Sequence, residues 1–376
     1  MEPKKIIIQG GQKRLLSIDT FRGMDMLIIM GLSTLIVRIC ELFPGGSESF
    51  LATQMHHVAW DGLAVMDMVF PVFLFIAGLS FPFSYAKQLE KGRSSWQIHR
   101  KILLRCLALI ALGIVYNGFF NLQFPQRYAS VLGRIGLAWM LAALLYIHLK
   151  TVPRMVVSAV LLLGYALLVT QVSAPDMPAG ADPLSQEGCL NGYIDRLLLP
   201  GRLYNGNFDP EGLLATVPAV VTAMLGMFTG EFIRLPGEKL DGRKKTLWML
   251  GAAAVLLAAG LAVSPVVPLN KKLWSSTFVL VVGACSLAVY ALLYYIVEVN
   301  GHVRWTFPFR VIGLNSITIY MLQRIVPLEG VSEFFLGGAA GLLPEAWGAV
   351  LLAAGYLAVS WLLLYFLYKK GVFLKI

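Results

Sequence analysis

Long apolar runs recur from one end of this 376-residue chain to the other, and no other feature limits its fold so tightly. Ten segments, at roughly 16–38, 63–86, 102–121, 131–149, 155–173, 211–233, 247–263, 275–297, 309–328 and 347–368, are each about as long as a helix that crosses hydrocarbon. Inside a bilayer the backbone must satisfy its own hydrogen bonds, and runs of this length do so as helices. Hydrophobic residues make up 57% and charged residues only 14%, where a soluble domain carries nearer a quarter. The expectation is an all-α, polytopic integral membrane protein with about ten transmembrane helices, forming one transmembrane domain over residues 1–376. The first 14 residues are polar and basic and the first apolar run is a full span, so no cleavable signal peptide is evident.

A net charge of +10 invites a nucleic-acid partner, but the placement of the basic residues argues for topology instead. With the N-terminus in the cytoplasm, most of the 31 Lys and Arg fall at cytoplasmic ends and loops, among them Lys4, Lys5, Lys13, Arg14, Lys91, Arg93, Lys239, Lys244, Lys369 and Lys375. This positive-inside bias puts both termini in the cytoplasm, and the expected location is a bacterial inner membrane. Residues 174–210 then form a long extracytoplasmic loop, rich in Pro, Gly and Asp before turning aromatic and polar. Loops of this length are usually functional or disordered. Four cysteines are too few for a disulfide framework. Cys40 and Cys189 both fall on the outer side, where an oxidising compartment permits a bond between them.

Ionisable residues at the mouth of a span are costly and tend to have a role. His56, His57 and Asp61 lie within six residues, and Asp67 is carried into the next apolar run. Imidazole is the usual proton acceptor near neutral pH. If that span begins early, His57 and Asp61, four apart, share a helix face and the carboxylate orients the ring. Asp67 and Pro71 are also four apart, so the helix should kink there and expose the Asp67 carbonyl. Two interfacial histidines with no chemistry are the plainer alternative. A zinc site lacks a convincing third and fourth ligand, since Cys189 is far off in sequence.

Further polar groups sit on or beside the other spans. Asp19, Arg22 and Asp25 are spaced by three, as a charge ladder at the cytoplasmic interface or as a phosphate contact. Asn121, Gln123, Gln126 and Arg127 precede Arg134, which enters a span near its outer end and needs a partner such as Asp61 or Asp67. In Asn205-Gly206-Asn207-Phe208-Asp209-Pro210-Glu211-Gly212, Asp209 is placed as an N-cap, Pro210 as the first helical residue and Glu211 in the first turn. The same helix end could face a polar substrate. Asn315, Ser316, Thr318, Tyr320 and Gln323 form a polar stripe ending in Arg324, of the kind that lines a pathway or holds helices together. Gly226 and Gly230 are a small-xxx-small pair for close helix packing.

Four segments together are similar to the transmembrane acyltransferases typified by heparan-α-glucosaminide N-acetyltransferase, closest to a bacterial branch of unknown substrate. They are Ser17 to Gly23, His57 to Gly78, Asp209 to Leu214, and Gly313 to Ser316. The second, His57-Val58-Ala59-Trp60-Asp61-Gly62 through Asp67 and Phe70-Pro71, is the specific one. The resemblance implies transfer of an acetyl group from cytosolic acetyl-CoA to an amino sugar across the membrane, with the active-site histidine on His57. Two positions depart from the pattern. A family asparagine late in the first span falls on Ser33, and a histidine after the Asn-Ser motif falls on Gln323.

The reading is an acyltransferase with His57 and Asp61 catalytic. His56, Trp60, Asp67, Arg134, Asn207, Asp209, Glu211, Asn315 and Gln323 are expected on the acceptor, and Asp19, Arg22 and Ser33 on the donor. Acetyl-CoA is the acyl donor, a saccharide or glycan the acceptor, and no metal is required. The bilayer and a homodimer complete the partners; nucleic acid is excluded. Direct transfer with His57 as base and an acyl-histidine intermediate both remain open. A transporter or flippase for a saccharide or lipid-linked intermediate is the rival class, and a non-catalytic assembly subunit a further one.

Overall fold

A computed structural model describes residues 15–118, 125–178, 180–238 and 240–374. Lys4, Lys5, Lys13, Arg14, Asn121, Gln123, Lys239 and Lys375 lie outside them. Within that range the chain is helical, and it carries no β-strand beyond two isolated bridges. In order, the helices are α1 (Leu16–Leu27), α2 (Ser33–Cys40), α3 (Phe50–Gln54), α4 (Val65–Glu90), α5 (Ser95–Gly118), α6 (Val131–His148), α7 (Thr151–Gln171) and α8 (Leu190–Leu198). Then follow α9 (Thr216–Ile233), α10 (Gly242–Val263), α11 (Ser276–Tyr294), α12 (Phe307–Leu314), α13 (Ser316–Ile325), α14 (Leu328–Gly341) and α15 (Glu345–Lys370).

Eight of the described helices are long and apolar enough to cross a membrane, which is the architecture of an integral membrane protein. The apolar segments at 102–121 and 309–328 are the two expected spans outside those eight. The first falls largely in α5, whose first half carries His99, Arg100, Lys101 and Arg105, and its last residues lie outside the described ones. The segment at 309–328 is broken at Asn315 into two short helices, α12 and α13. The first span is a single unit from Leu16 to Cys40, with a π-turn at Ile28–Leu32 joining α1 to α2. A helix not expected from hydropathy, α14, pairs with α15.

Burial separates inner from outer helices. In α4, α9 and α11 the central stretches are 67%, 72% and 61% buried within the protein, against 22% for α7, α10 and α15. The last three therefore turn most of their apolar surface outward, as lipid-facing helices do. In hydrocarbon there is little hydrophobic drive to bring helices together, so close approach must come from shape. The α4–α9 contact has that shape. A Cβ on Gly226 would stand 2.0 Å from the Phe75 carbonyl oxygen, one on Gly230 2.4 Å from that of Leu79, and one on Gly78 2.0 Å from that of Ala223. The small-xxx-small pair is thus a packing device that lets the two central helices touch backbone to backbone. Helix α4 continues through Pro71 and Pro82 as one element instead of ending at either.

Candidate active site

The segment from His56 to Ala64 is an irregular strap between α3 and α4, not the start of a helix. The four-residue spacing that would have joined His57 to Asp61 therefore has no helix to act through. Asp61 is exposed and accepts a hydrogen bond from Asn270 Nδ2 at 2.9 Å. The carboxylate on His57 is that of Asp67. His57 Nδ1 lies 2.8 Å from Asp67 Oδ1, while Asp67 Oδ2 accepts the backbone N–H groups of Val58 at 3.1 Å and Ala64 at 3.3 Å. Asp67 closes the first turn of α4 and is buried, at 2% exposure, while the His57 side chain is 54% exposed. One edge of the imidazole is thus fixed from inside, and Nε2 has no hydrogen bond among the described residues.

A second segment, the turn between α10 and α11, completes this arrangement. Lys271 Nζ lies 3.4 Å from Asp67 Oδ1 and 3.1 Å from His57 Nδ1. Burial pulls the Lys271 ammonium below the ordinary lysine value, and the Asp67 and Glu211 carboxylates hold it up. Lys272 donates to the Ala59 carbonyl at 2.6 Å, and Gly62 N–H donates to the Leu269 carbonyl at 2.8 Å. Trp60 anchors the other side. Its Nε1 donates to the Leu184 carbonyl at 2.8 Å and its ring meets Phe208 edge-on at 5.5 Å. Trp60 is thereby committed to joining the strap to the 174–210 segment, where Cys189, Leu273 and Phe208 form a small apolar cluster with it. His56 is exposed.

The motif before α9 serves a different purpose from the one its spacing suggested. Helix α9 begins at Thr216 with Ala215 as its cap, so Asp209 is not its N-cap. Instead Asp209 forms a bidentate pair with Arg127, at 2.8 Å to Nε and 2.6 Å to Nη2, and Glu211 takes the same Nη2. Burial works against the charge on Arg127, but these two carboxylates raise its affinity for the proton. Tyr204 lies over the guanidinium at 4.7 Å. Gly212 permits a close approach, because a Cβ there would stand 2.0 Å from Asp195 Oδ2. Asp195 is fully buried, and burial raises its carboxyl to about 6 while the Leu213 N–H, donating at 2.9 Å, draws it back. Asn207 offers its carbonyl to Arg196 at 2.7 Å.

Arg134 is 2% exposed, donates from Nη2 to the Gly212 carbonyl at 3.1 Å, and lies over the Trp274 ring at 5.0 Å. Its Nε and Nη1 have no partner among the described residues. Neither Asp61 nor Asp67 pairs with it; its nearest charges are Glu211, Asp195 and Asp209, which act through space. Gln323 donates to Tyr356 OH at 2.6 Å, and Tyr116 stacks on Tyr320 at 4.5 Å. Asn315 sits at the α12–α13 break, buried, with its Nδ2 unpartnered.

The expected donor residues lie deeper along the bundle. Arg22 donates to Ser80 Oγ at 3.2 Å and stands 3.9 Å from Asp19. Ser80 follows Asp67 by 13 positions on α4, a distance of about 20 Å along the axis. Arg105 of α5 lies within the field of Arg22 and over Trp139 at 4.3 Å, with its Nε unpartnered. Ser33 is buried just past the π-turn. Cys40 and Cys189 are free thiols and do not pair, and burial pushes the Cys189 thiol up to about 11. Among the described residues no three His, Cys, Asp or Glu gather as a metal site would need.

Lys271, Arg127, Asp195 and Arg105 were not singled out by sequence as site residues. The Lys271-Lys272 pair did carry a signal, since with the N-terminus in the cytoplasm the loop between the apolar runs at 247–263 and 275–297 falls on the outer side, where two adjacent lysines run against the positive-inside bias. The other three become visible only when distant segments meet.

Comparison with known proteins follows the same outline. The family profile described as heparan-alpha-glucosaminide N-acetyltransferase, catalytic, matches residues 14–260. The heparan-alpha-glucosaminide N-acetyltransferase of Homo sapiens is 28% identical over 416 residues, covering 96% of this chain and 60% of the human protein. That of Mus musculus is 28% identical over 421 residues, covering 98% of this chain and 61% of its own length. The chain therefore spans about three fifths of these relatives.

Proposed function

This chain belongs to the heparan-α-glucosaminide N-acetyltransferase family, and from that premise we propose that it is a membrane-embedded acetyltransferase using acetyl-CoA as donor and a saccharide amine or hydroxyl as acceptor. The observation that carries the reading is the His57–Asp67 pair, in which a buried carboxylate fixes one nitrogen of an imidazole whose side chain is half exposed. With Nδ1–H donating to Asp67, Nε2 holds a lone pair and can act as a base.

The donor enters from the end of the bundle that carries most of the basic residues, the cytoplasmic side of a bacterial inner membrane. Its phosphates meet Arg22, with Asp19 nearby, and its arm extends about 20 Å along α4 toward Asp67, past Ser33, which lies about 16 Å beyond Arg22 on the first span. The acceptor approaches the strap from the opposite side, between His57 and the Arg127–Asp209–Glu211 cluster. As the acceptor nitrogen or oxygen forms its bond to the acetyl carbon, Nε2 takes its proton. The carbon–sulfur bond then breaks, its electron pair stays on sulfur, and the proton passes from Nε2 to the thiolate. Arg134, whose Nε and Nη1 have no partner among the described residues, supplies positive potential for the developing oxyanion.

The test is acetyl transfer in sealed vesicles holding the purified protein, with labelled acetyl-CoA on one side and glucosamine-terminated oligosaccharides on the other. Wild type transfers label, and His57→Ala loses about 10²–10⁴-fold. Equal transfer by the two proteins refutes the assignment, and saccharide movement without label points to a transporter.

A further inference from the structure

We propose that Lys271 is a positioning residue of this site, whose ammonium offsets the charge of the Asp67 carboxylate that fixes His57 Nδ1 and disfavours a second proton on the ring. The inference rests on His57 being the base, as read above. Its basis is the triangle formed by Lys271 Nζ, His57 Nδ1 and Asp67 Oδ1, with sides of 2.8, 3.1 and 3.4 Å.

Two hydrogen-bonding patterns compete within that triangle. Either Nδ1–H donates to Asp67, or Nδ1 accepts from Lys271 and Nε2 carries the proton. Asp67 decides between them. Its Oδ2 accepts two backbone N–H groups, which holds it ionised, and a carboxylate oxygen 2.8 Å from Nδ1 requires a hydrogen between them. Lys271 therefore contributes its charge to the carboxylate and not a hydrogen bond to the ring. That charge disfavours a second proton on His57. Once Nε2 has taken the acceptor's proton, an imidazolium stands beside an ammonium, and the repulsion helps return the proton to the leaving thiolate. The charged groups in contact with His57 are Asp67 on α4 and Lys271 from the α10–α11 turn; His56 and Asp61 lie on the same strap, and Lys272 is bound to its Ala59 carbonyl. Glu211 and Arg134 act on Lys271 from a second rank.

The signs can be read from the Lys271→Gln variant. Removing the ammonium eases protonation of His57 directly, and it also leaves Asp67 without its neutralising partner, which acts in the same direction. The readout is the pH dependence of diethyl pyrocarbonate labelling at His57, which requires the neutral ring and is located by fragment mass spectrometry so that His56 is distinguished. At an exposed site, a unit charge about 3 Å away moves the midpoint by about one pH unit. Lys271→Gln should therefore raise the midpoint by about one unit, and Lys271→Arg should leave it at the wild-type value. If Lys271→Gln does not accumulate as folded protein, Lys271→Ala is read in the same way. An unmoved midpoint in the neutral variant, or an equal shift in Lys271→Arg, overturns the inference. The labelling needs neither donor nor acceptor, so failure here is separate from failure of acetyl transfer.

Discussion

Asp67→Asn separates the structural pairing from the one that spacing suggested. An amide has one oxygen where the carboxylate had two, so it must choose which neighbours to satisfy. On one side stand the Val58 and Ala64 N–H groups, at 3.1 and 3.3 Å. On the other stand His57 Nδ1 at 2.8 Å and the Lys271 ammonium. Turning the NH₂ toward two backbone donors leaves both unsatisfied, at about 1–3 kcal/mol each. Lys271, still part exposed, can swing away into solvent. The oxygen therefore stays with the backbone and the NH₂ faces Nδ1. That forces Nδ1 to accept and puts the ring proton on Nε2, the nitrogen that acts as base in the proposed reaction. The loss includes a charge-assisted bond worth about 1.5–3 kcal/mol, or about 10–150-fold in rate, and the inverted tautomer adds to it. We expect kcat/KM for acetyl transfer to fall at least about 100-fold. Asp61→Asn, whose carboxylate is exposed and held by Asn270, should stay within about threefold. The assay is labelled acetyl transfer in vesicles, with thermal unfolding in detergent to confirm that both variants are folded. Near wild-type activity in Asp67→Asn, or a larger loss in Asp61→Asn, would refute the tautomer argument.

Two further outcomes follow from burial and packing. Asp195 has its folded-state carboxyl raised to about 6, above its unfolded value, so its ionisation opposes folding. Between the ordinary carboxylate range and about pH 6 the folded state holds more protons than the unfolded one, and this contribution to stability falls as pH rises. Asp195→Asn removes that slope, so the difference in unfolding midpoint between the variant and wild type should grow in the variant's favour from pH 4.5 to 7; a constant difference contradicts the assignment. Gly226→Val places a side chain against the Phe75 carbonyl and should destabilise the α4–α9 contact by about 1–3 kcal/mol or more, read as a lower midpoint of thermal unfolding in detergent.

What the sequence conveyed follows the range over which each interaction acts. Apolar runs report on single helices, and most of the long helices lie close to them, although α5 begins at Ser95, well before the run at 102–121, and α14 was not expected. Gly226 and Gly230 report on one helix face, and that face does pack closely. Asp61 shows where local reasoning stops, since helical spacing was applied to a strap held open by Asn270, Leu269 and Leu184 from elsewhere in the chain. Asp209 shows the same limit. Its cap-like context was genuine, but a bidentate arginine more than eighty residues away was the stronger partner. The α12–α13 break at Asn315 was hidden because apolar residues, Val311, Ile312 and Leu314 before it and Ile317 and Ile319 after it, continue between the polar ones.

The strap that carries His57 is fastened at both ends and along its length. Asp67 holds it from the helix it leads into, Leu269 and Lys272 hold it from one turn, and Leu184 holds it from a loop more than a hundred residues away. A platform tied down in this way has little freedom to follow a reaction partner. In the reaction proposed above, the travelling component is then the acyl carrier, whose slender arm has the reach and the rotatable bonds that the histidine lacks. Selectivity for acyl length would accordingly be set by how far the arm extends before it meets a stationary base.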